Sequence, residues 1–381
     1  MKQWSPQRYR SEALIRGVEP EIVNNAILHI KKIVNLNDKL LPILTLRHFA
    51  FMAGVEYSFL RKVINREHFH PYRFFLIKKK KSISKRKIFV PEPQLLKAQK
   101  FIHDNVLKNI SPHEASFAYT PQSSIYYAAN MHINSRWLIK IDITSFFESI
   151  SEIDVYHVFK SNGYSNLVSF ELSRVCTWVI PRSPKERLPR LKNKYLKEYD
   201  FYNRSSELGS TPQGAPTSPC LSNLVCKHLD SEISLLCEKL KVRYSRYSDD
   251  ITISAVNINF SRTNALDIVD SIYRILRKYG FNPNKVKTKI IPPGAKKIVL
   301  GLNVDKNRVN LDKAFKYKLK QHVHFCLHEK IGPVKHSKFK GFSSVIGFRN
   351  HLYGLIIYAR SIDAMFGEEM QKKYERISWP F

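Results

Sequence analysis

Arg246-Tyr-Ser-Asp-Asp-Ile-Thr-Ile-Ser254 is the stretch from which the rest of this chain is read. Two adjacent acids stand between an aromatic residue and an alternating Ile/Thr/Ile run. Val242–Tyr244 and Ile251–Ile253 read as two short strands, which makes Tyr247–Asp250 the tight turn of a hairpin. Neighbouring carboxylates repel and are costly to desolvate together, and a bound cation is the usual remedy. A solvated acidic turn is the plainer explanation of an Asp-Asp pair, so its company matters. Upstream, Leu138-Ile-Lys-Ile-Asp142-Ile-Thr-Ser-Phe-Phe147 is an apolar strand that delivers a single acid at its end. By itself such an acid reads as a helix cap as readily as a metal ligand. Between the two lies Gly209-Ser-Thr-Pro-Gln213-Gly-Ala-Pro-Thr-Ser-Pro219, a Pro- and Gly-rich turn running into a helical segment over 221–240.

A strand-borne Asp, then Pro-Gln-Gly, then Tyr-x-Asp-Asp is an order that resembles the palm of reverse transcriptases, over roughly residues 85–305. The resemblance implies that Asp142, Asp249 and Asp250 are catalytic and hold two Mg²⁺ ions, which phosphoryl transfer uses about 4 Å apart. It also implies further contacts. Lys85-Arg86-Lys87-Ile-Phe-Val-Pro91 matches the family strand whose Arg grips the incoming triphosphate, and bidentate geometry favours Arg86 over Lys85 and Lys87. Phe147, five residues past Asp142, matches the sugar-facing aromatic that clashes with a 2′-hydroxyl and so selects deoxynucleotides. Gln213 can hydrogen-bond near the nucleotide. Lys287, before Thr288, matches the basic residue near the triphosphate.

Composition agrees with a polyanionic partner. The 381 residues carry 63 Lys and Arg against 32 Asp and Glu, a formal charge of +31, which repels itself unless nucleic acid or an anionic surface offsets it. There is no apolar run long enough to span a bilayer, and Met1–Ser11 is too polar for a signal peptide, so a cytoplasmic protein without membrane attachment is expected. Five cysteines without a Cys-x-x-Cys pair read as buried thiols.

The expected fold is α+β, a right-hand polymerase whose palm is an antiparallel sheet packed on helices. Residues 1–70 form an N-terminal helical extension, 71–135 the fingers, 136–308 the palm, and 309–381 a helical thumb. Tyr72–Ile77 and Lys85–Pro91 read as a hairpin with a basic tip. A basic insertion at about 181–206 offers Arg182, Lys185 and Arg187 to RNA, although a solvated loop explains them as well. In the thumb, Lys316 and Lys320 are candidates to track a duplex. His132 reads as a hydrogen-bonded structural residue.

Among reverse transcriptases the resemblance narrows to the bacterial retron type. Tyr119-Thr-Pro-Gln-Ser-Ser-Ile125 and Ala128-Ala-Asn-Met-His132 follow its pattern, with Ala128 replacing an Asn and Val299-Leu-Gly301 replacing Val-Thr-Gly. Retron membership implies a structured noncoding RNA as template and primer, a short single-stranded DNA product built from deoxynucleotide triphosphates, and a separate effector protein in anti-phage defence. Abortive-infection, diversity-generating and group II intron-like enzymes share the palm motifs. An RNA-binding scaffold that restrains a toxic partner is the alternative outside catalysis.

Overall fold

The computed structural model describes residues 5–67, 70–78, 85–120, 124–179 and 208–381. The segment 181–206, with Arg182, Lys185 and Arg187, lies outside the described residues, as does the tip of the basic hairpin; of Lys85 only the backbone is described. The strands that matter here are β1 (Tyr72–Lys78), β2 (Lys85–Pro91), β3 (Trp137–Thr144), β4 (Arg243–Tyr247), β5 (Asp250–Ala255), β6 (Asn282–Pro283) and β7 (Lys289–Ile291). Helices and antiparallel strand pairs share the chain, which is the α+β class expected. By contacts it forms two units interleaved in sequence. One comprises residues 1–121, 142–235 and 271–284, and the other 122–141, 236–270 and 285–381.

In the first unit, β1 and β2 pair antiparallel from Tyr72↔Pro91 to Lys78↔Lys85, as the sequence suggested. Residues 1–60, whose periodicity reads as two or three amphipathic helices, hold Pro6–Ile15, Pro20–Leu36 and Leu46–Ala53 among the described residues, and a further helix, Tyr57–Asn65, runs on from them. The helix Pro93–Asn105 buries Leu95, Ala98, Gln99 and Ile102. The region after Ile150 breaks into Glu152–Ser161 and Asn166–Cys176, each begun by a serine cap, Ser151 and Ser165, that accepts a backbone N–H and stops the helix from extending backwards. The segment expected as one helix over 221–240 is two, Ser218–Val225 and Lys227–Lys239, broken at Cys226.

In the second unit, β4 and β5 form the predicted hairpin, and β5 lies beside β3, whose Leu138–Lys140 pair with β7 and whose Ile143 and Thr144 pair with β6. Leu138, Val299, Leu302, Leu319, Phe348, Leu352 and Ile356 pack into one fully buried core, with the C-terminal helices Lys313–Leu327, Val345–Ile362 and Ala364–Glu375 around it. Lys296–Asp305, whose sequence reads as a single closing strand, holds instead two two-residue strands, Ile298–Val299 and Leu302–Asn303, which with Asn310–Leu311 form a three-stranded antiparallel sheet. Leu300 and Gly301 both take positive φ there and reverse the chain after two residues, too soon for a longer strand. Four of the cysteines are buried and all five are free.

Candidate active site

The acidic turn is built locally. Tyr247 pairs with Asp250, so Ser248 and Asp249 alone make the loop, and Asp250 opens β5. Ser248 takes φ +60° while Asp249 is not among the positive-φ residues, the pattern of a II′ turn, which favours glycine at its first position. A side chain in left-handed backbone costs about 1–2 kcal/mol. The Arg246 guanidinium, fully buried, donates from Nη1 to the Ser248 carbonyl at 3.0 Å and holds the turn in that conformation. Both acids are half-buried.

Behind the turn stands His132. Its Nδ1 lies 2.8 Å from Ser254 Oγ on β5 and its Nε2 2.7 Å from Ser245 Oγ on β4. Burial, assisted by the charge of Arg243, pushes its pKa down to about 3. The ring is therefore neutral, donating through one nitrogen and accepting through the other, and it cross-links the two strands. This is the structural role read from the sequence.

Asp142, Phe147, Gln213 and Arg86 stand in the first unit, on a framework of tertiary hydrogen bonds. Asp142, half-buried near the end of β3, accepts at its carbonyl from Asn284 N at 2.7 Å. After β3 the chain turns at Ser145, φ +48°, into a short 3-10 helix, Phe147–Ser149. Phe146 is buried against Phe281, ring centroids 5.7 Å apart, whereas Phe147 is half-buried between Phe146 and Tyr119 at 5.5 and 6.4 Å. The division of labour between the two phenylalanines follows the expectation that one of them packs in the core.

The Pro-Gln-Gly loop is docked onto that segment. Glu152 N donates to Gly209 O at 2.9 Å and Thr211 N to Ile150 O at 3.1 Å, while Ser210 exchanges two 3.0 Å bonds with Trp178. Thr211 is fully buried and donates from Oγ1 to the Phe147 carbonyl at 2.6 Å. Gln213 O accepts from Phe89 N at 2.8 Å, three residues along β2 from Arg86. At Gly214, φ +117°, a Cβ would stand 2.6 Å from Phe89 O, so glycine is required for this approach. Arg86 is exposed, Lys87 and Gln213 are half-buried, and Lys287 is exposed in the second unit. Lys316 is committed to an ion pair with Asp363 and lies 4.8 Å from the Phe366 ring centroid; exposed Lys320 stands 5.8 Å from the same ring.

Underneath the loop lies a group that sequence reading missed. Glu152, fully buried, receives Arg66 Nη2 at 2.7 Å, Arg174 Nε at 2.8 Å and Gly209 N at 3.0 Å. Burial alone would raise its pKa, but the two guanidiniums outweigh that and hold it below the usual carboxylate range. A Cβ on Gly209 would stand 2.7 Å from Arg66 Nη2 and 2.9 Å from Glu152 Oε2. Nothing in the sequence pairs residues 86 and 22 positions apart, and the available signals, a serine-capped helix start and an Arg just past a helix end, are generic. Arg246 was also missed; its position immediately before the acidic turn was the signal.

Among the described residues no three or more His, Cys, Asp or Glu side chains are gathered as a metal cage. Mg²⁺ does not require one, because it keeps waters and takes one or two carboxylates together with substrate phosphates. Asp142, Asp249 and Asp250 offer the hard oxygen donors it prefers and are neither sealed in the core nor fully exposed.

Comparison with known proteins bears on the chemistry. The sequence model for "Reverse transcriptase (RNA-dependent DNA polymerase)" matches residues 77–304. The retron Ec86 reverse transcriptase of Escherichia coli is 26% identical over 304 residues, 79% of this chain and 84% of the relative. The retron Ec73 reverse transcriptase of the same organism is 27% identical over 319 residues, 81% and 89% of the two chains. Among solved structures, a telomerase from Candida albicans aligns over 83% of this chain and 68% of its own, with TM-score 0.40 and 13% identity. The family match covers more than half of the chain and contains the strand-borne Asp, the Pro-Gln-Gly loop and the acidic hairpin: the protein belongs to the reverse transcriptases, RNA-directed DNA polymerases, and is of the bacterial retron type.

Proposed function

We propose that this reverse transcriptase copies a dedicated structured noncoding RNA into a short single-stranded DNA that stays joined to it, the first nucleotide being attached to an RNA 2′-hydroxyl. It acts in the cytoplasm, in anti-phage defence, beside a separate effector protein. The retron relatives support the template class, and a charge of +31 suits a protein that lives on a polyanion. Among the described residues no helix is long and apolar enough to cross a membrane.

The observation that carries the site is the Tyr247–Asp250 turn, with one acid in a two-residue loop pinned by a buried arginine and the next acid opening β5. We assign Asp142, Asp249 and Asp250 as ligands of two Mg²⁺ ions. When bound, the ions lower the pKa of the primer hydroxyl and neutralise charge on the leaving pyrophosphate. Arg86 grips the triphosphate of the incoming deoxynucleotide, Gln213 orients it, Phe147 excludes a 2′-hydroxyl, and Lys287 contacts the phosphates. Lys85, Lys87, Arg182, Lys185, Arg187, Lys316 and Lys320 are the proposed RNA contacts. Residues 1–70, 71–135, 136–308 and 309–381 serve as extension, fingers, palm and thumb.

The test is to purify the protein with its native locus and sequence the nucleic acid that accompanies it, before and after RNase. A discrete short DNA joined to a structured RNA is expected; heterogeneous or absent DNA overturns the retron template. Replacing both acids, Asp249→Asn with Asp250→Asn, is expected to lower DNA synthesis by about 10³-fold or more, because metal stabilisation of the transition state amounts to several kcal/mol. RNA binding measured by filter retention should persist. Retention of the antiviral effect by this variant would transfer the function to an RNA-binding scaffold.

A further inference from the structure

We infer that Thr211 is the positioning residue for sugar selection: its buried hydroxyl sets where the Phe147 ring stands. This rests on the reading of Phe147 as the sugar-facing residue and adds to it a determinant that the motif match does not supply. An apolar side chain of the same shape would fill the same buried space without making a hydrogen bond. In this chain the hydroxyl instead donates to the Phe147 carbonyl at 2.6 Å. The same carbonyl accepts from Ile150 N at 3.1 Å, so the 3-10 turn that carries the ring is closed on itself and also tied to the loop.

The tie has consequences on both sides. Thr211 is fully buried and its own N–H is used by Ile150 O, so it has no freedom to follow a moving Phe147. Two residues on, Gln213 O is held by Phe89 N of β2. The ring has no deep pocket of its own. It is half-buried, touching Phe146 and a partly exposed Tyr119 that itself sits at φ +61°. A ring held chiefly through its main chain can select by sterics only if that main chain does not yield, and discrimination by shape is lost with shifts of about 1 Å. The Thr211 hydroxyl thus links the Pro-Gln-Gly loop directly to the backbone of the selecting aromatic.

The experiment compares single-nucleotide incorporation of deoxynucleotides and ribonucleotides, as the ratio of kcat/KM, in the full-length chain with Mg²⁺. Thr211→Val keeps the shape and removes the hydroxyl; Thr211→Ser keeps the hydroxyl; Phe147→Val is the reference. We expect Thr211→Val to lower the deoxy-over-ribo ratio roughly three- to tenfold, the range of one hydrogen bond, through faster ribonucleotide use. Thr211→Ser should stay within about twofold of the parent, and adding Thr211→Val to Phe147→Val should change the ratio no further. A purely structural role would depress both nucleotides alike and leave the ratio unmoved. If Phe147→Val collapses the ratio and Thr211→Val does not, the positioning role is overturned. If Phe147→Val itself leaves the ratio unchanged, the sugar-facing reading fails first. Should Val at this site prevent folding, judged by thermal unfolding, Thr211→Ala carries the same comparison.

Discussion

The loop Gly209–Gly214 and the turn Tyr247–Asp250 are held by opposite means. The turn is held by its own neighbourhood: one strand pair, a two-residue loop, and a guanidinium two residues upstream of the carbonyl it binds. The loop is held from afar, by Glu152 at a separation of 57 residues, by Phe147 at 64, and by a β2 amide. Beneath the loop is a buried carboxylate between two arginines; behind the turn is a neutral imidazole between two serines. A locally held element keeps its shape when distant parts loosen, whereas the loop depends on the integrity of the whole first unit.

The largest effect on stability should come from that charge cluster. Glu152→Ala leaves two buried guanidiniums without their shared carboxylate and should cost about 3–5 kcal/mol, read as a lowered denaturant midpoint. If the cost is below about 1 kcal/mol, the loop is not held in the way described.

Acid should separate the two regions next. An unfolded histidine takes up a proton near pH 6.5, whereas folded His132 refuses it down to about pH 3. Its neutral state therefore contributes fully above pH 6.5, and that contribution falls as pH drops towards 3, by up to about 1.4 kcal/mol per pH unit. The buried pair His322 and His336, 2.9 Å apart, both shifted down by burial, adds to the same window. Glu152, with its pKa held low, contributes fully above the unfolded carboxylate value of about 4.3 and loses its contribution only below that. Replacing His132→Gln should flatten the dependence of the denaturant midpoint between pH 6.5 and 5, while Glu152→Gln should leave that interval unchanged. An unaltered slope in the His132 variant would refute the assignment.

The smallest effect tests the local strain. Ser248→Gly removes the side chain from the φ +60° position and should raise stability by about 0.5–1 kcal/mol, seen as a higher thermal midpoint. A loss of stability would mean that the serine is held there by bonds worth more than the strain.

Legibility in the sequence followed the same division. The hairpin, the strand that carries Asp142 and the β1–β2 pair could be placed to within a few residues, because alternation and turn chemistry act over fewer than ten positions. The helical character of the basic stretch from about residue 309 onward was also visible. The closing strand near Gly301 was over-extended, because two consecutive positive-φ residues outrank a strand-like pattern. Of the site, the residue types and their order could be read, and so could the structural part played by His132. The use of Thr211's hydroxyl, the acid under Gly209 and the arginine that pins Ser248 could not be read.

By itself, then, the sequence determined the family, the α+β class, the acids and the aromatic that stand in the motifs, and a surface suited to a polyanion. Each of these is carried by short-range pattern or by bulk charge, which any ordering of the chain in space preserves. The tertiary structure alone decided which groups hold those residues in place. Buried hydrogen bonds and ion pairs form between whatever residues the fold brings within about 3 Å, and their energy depends on desolvation, a property of the packed interior rather than of neighbouring letters.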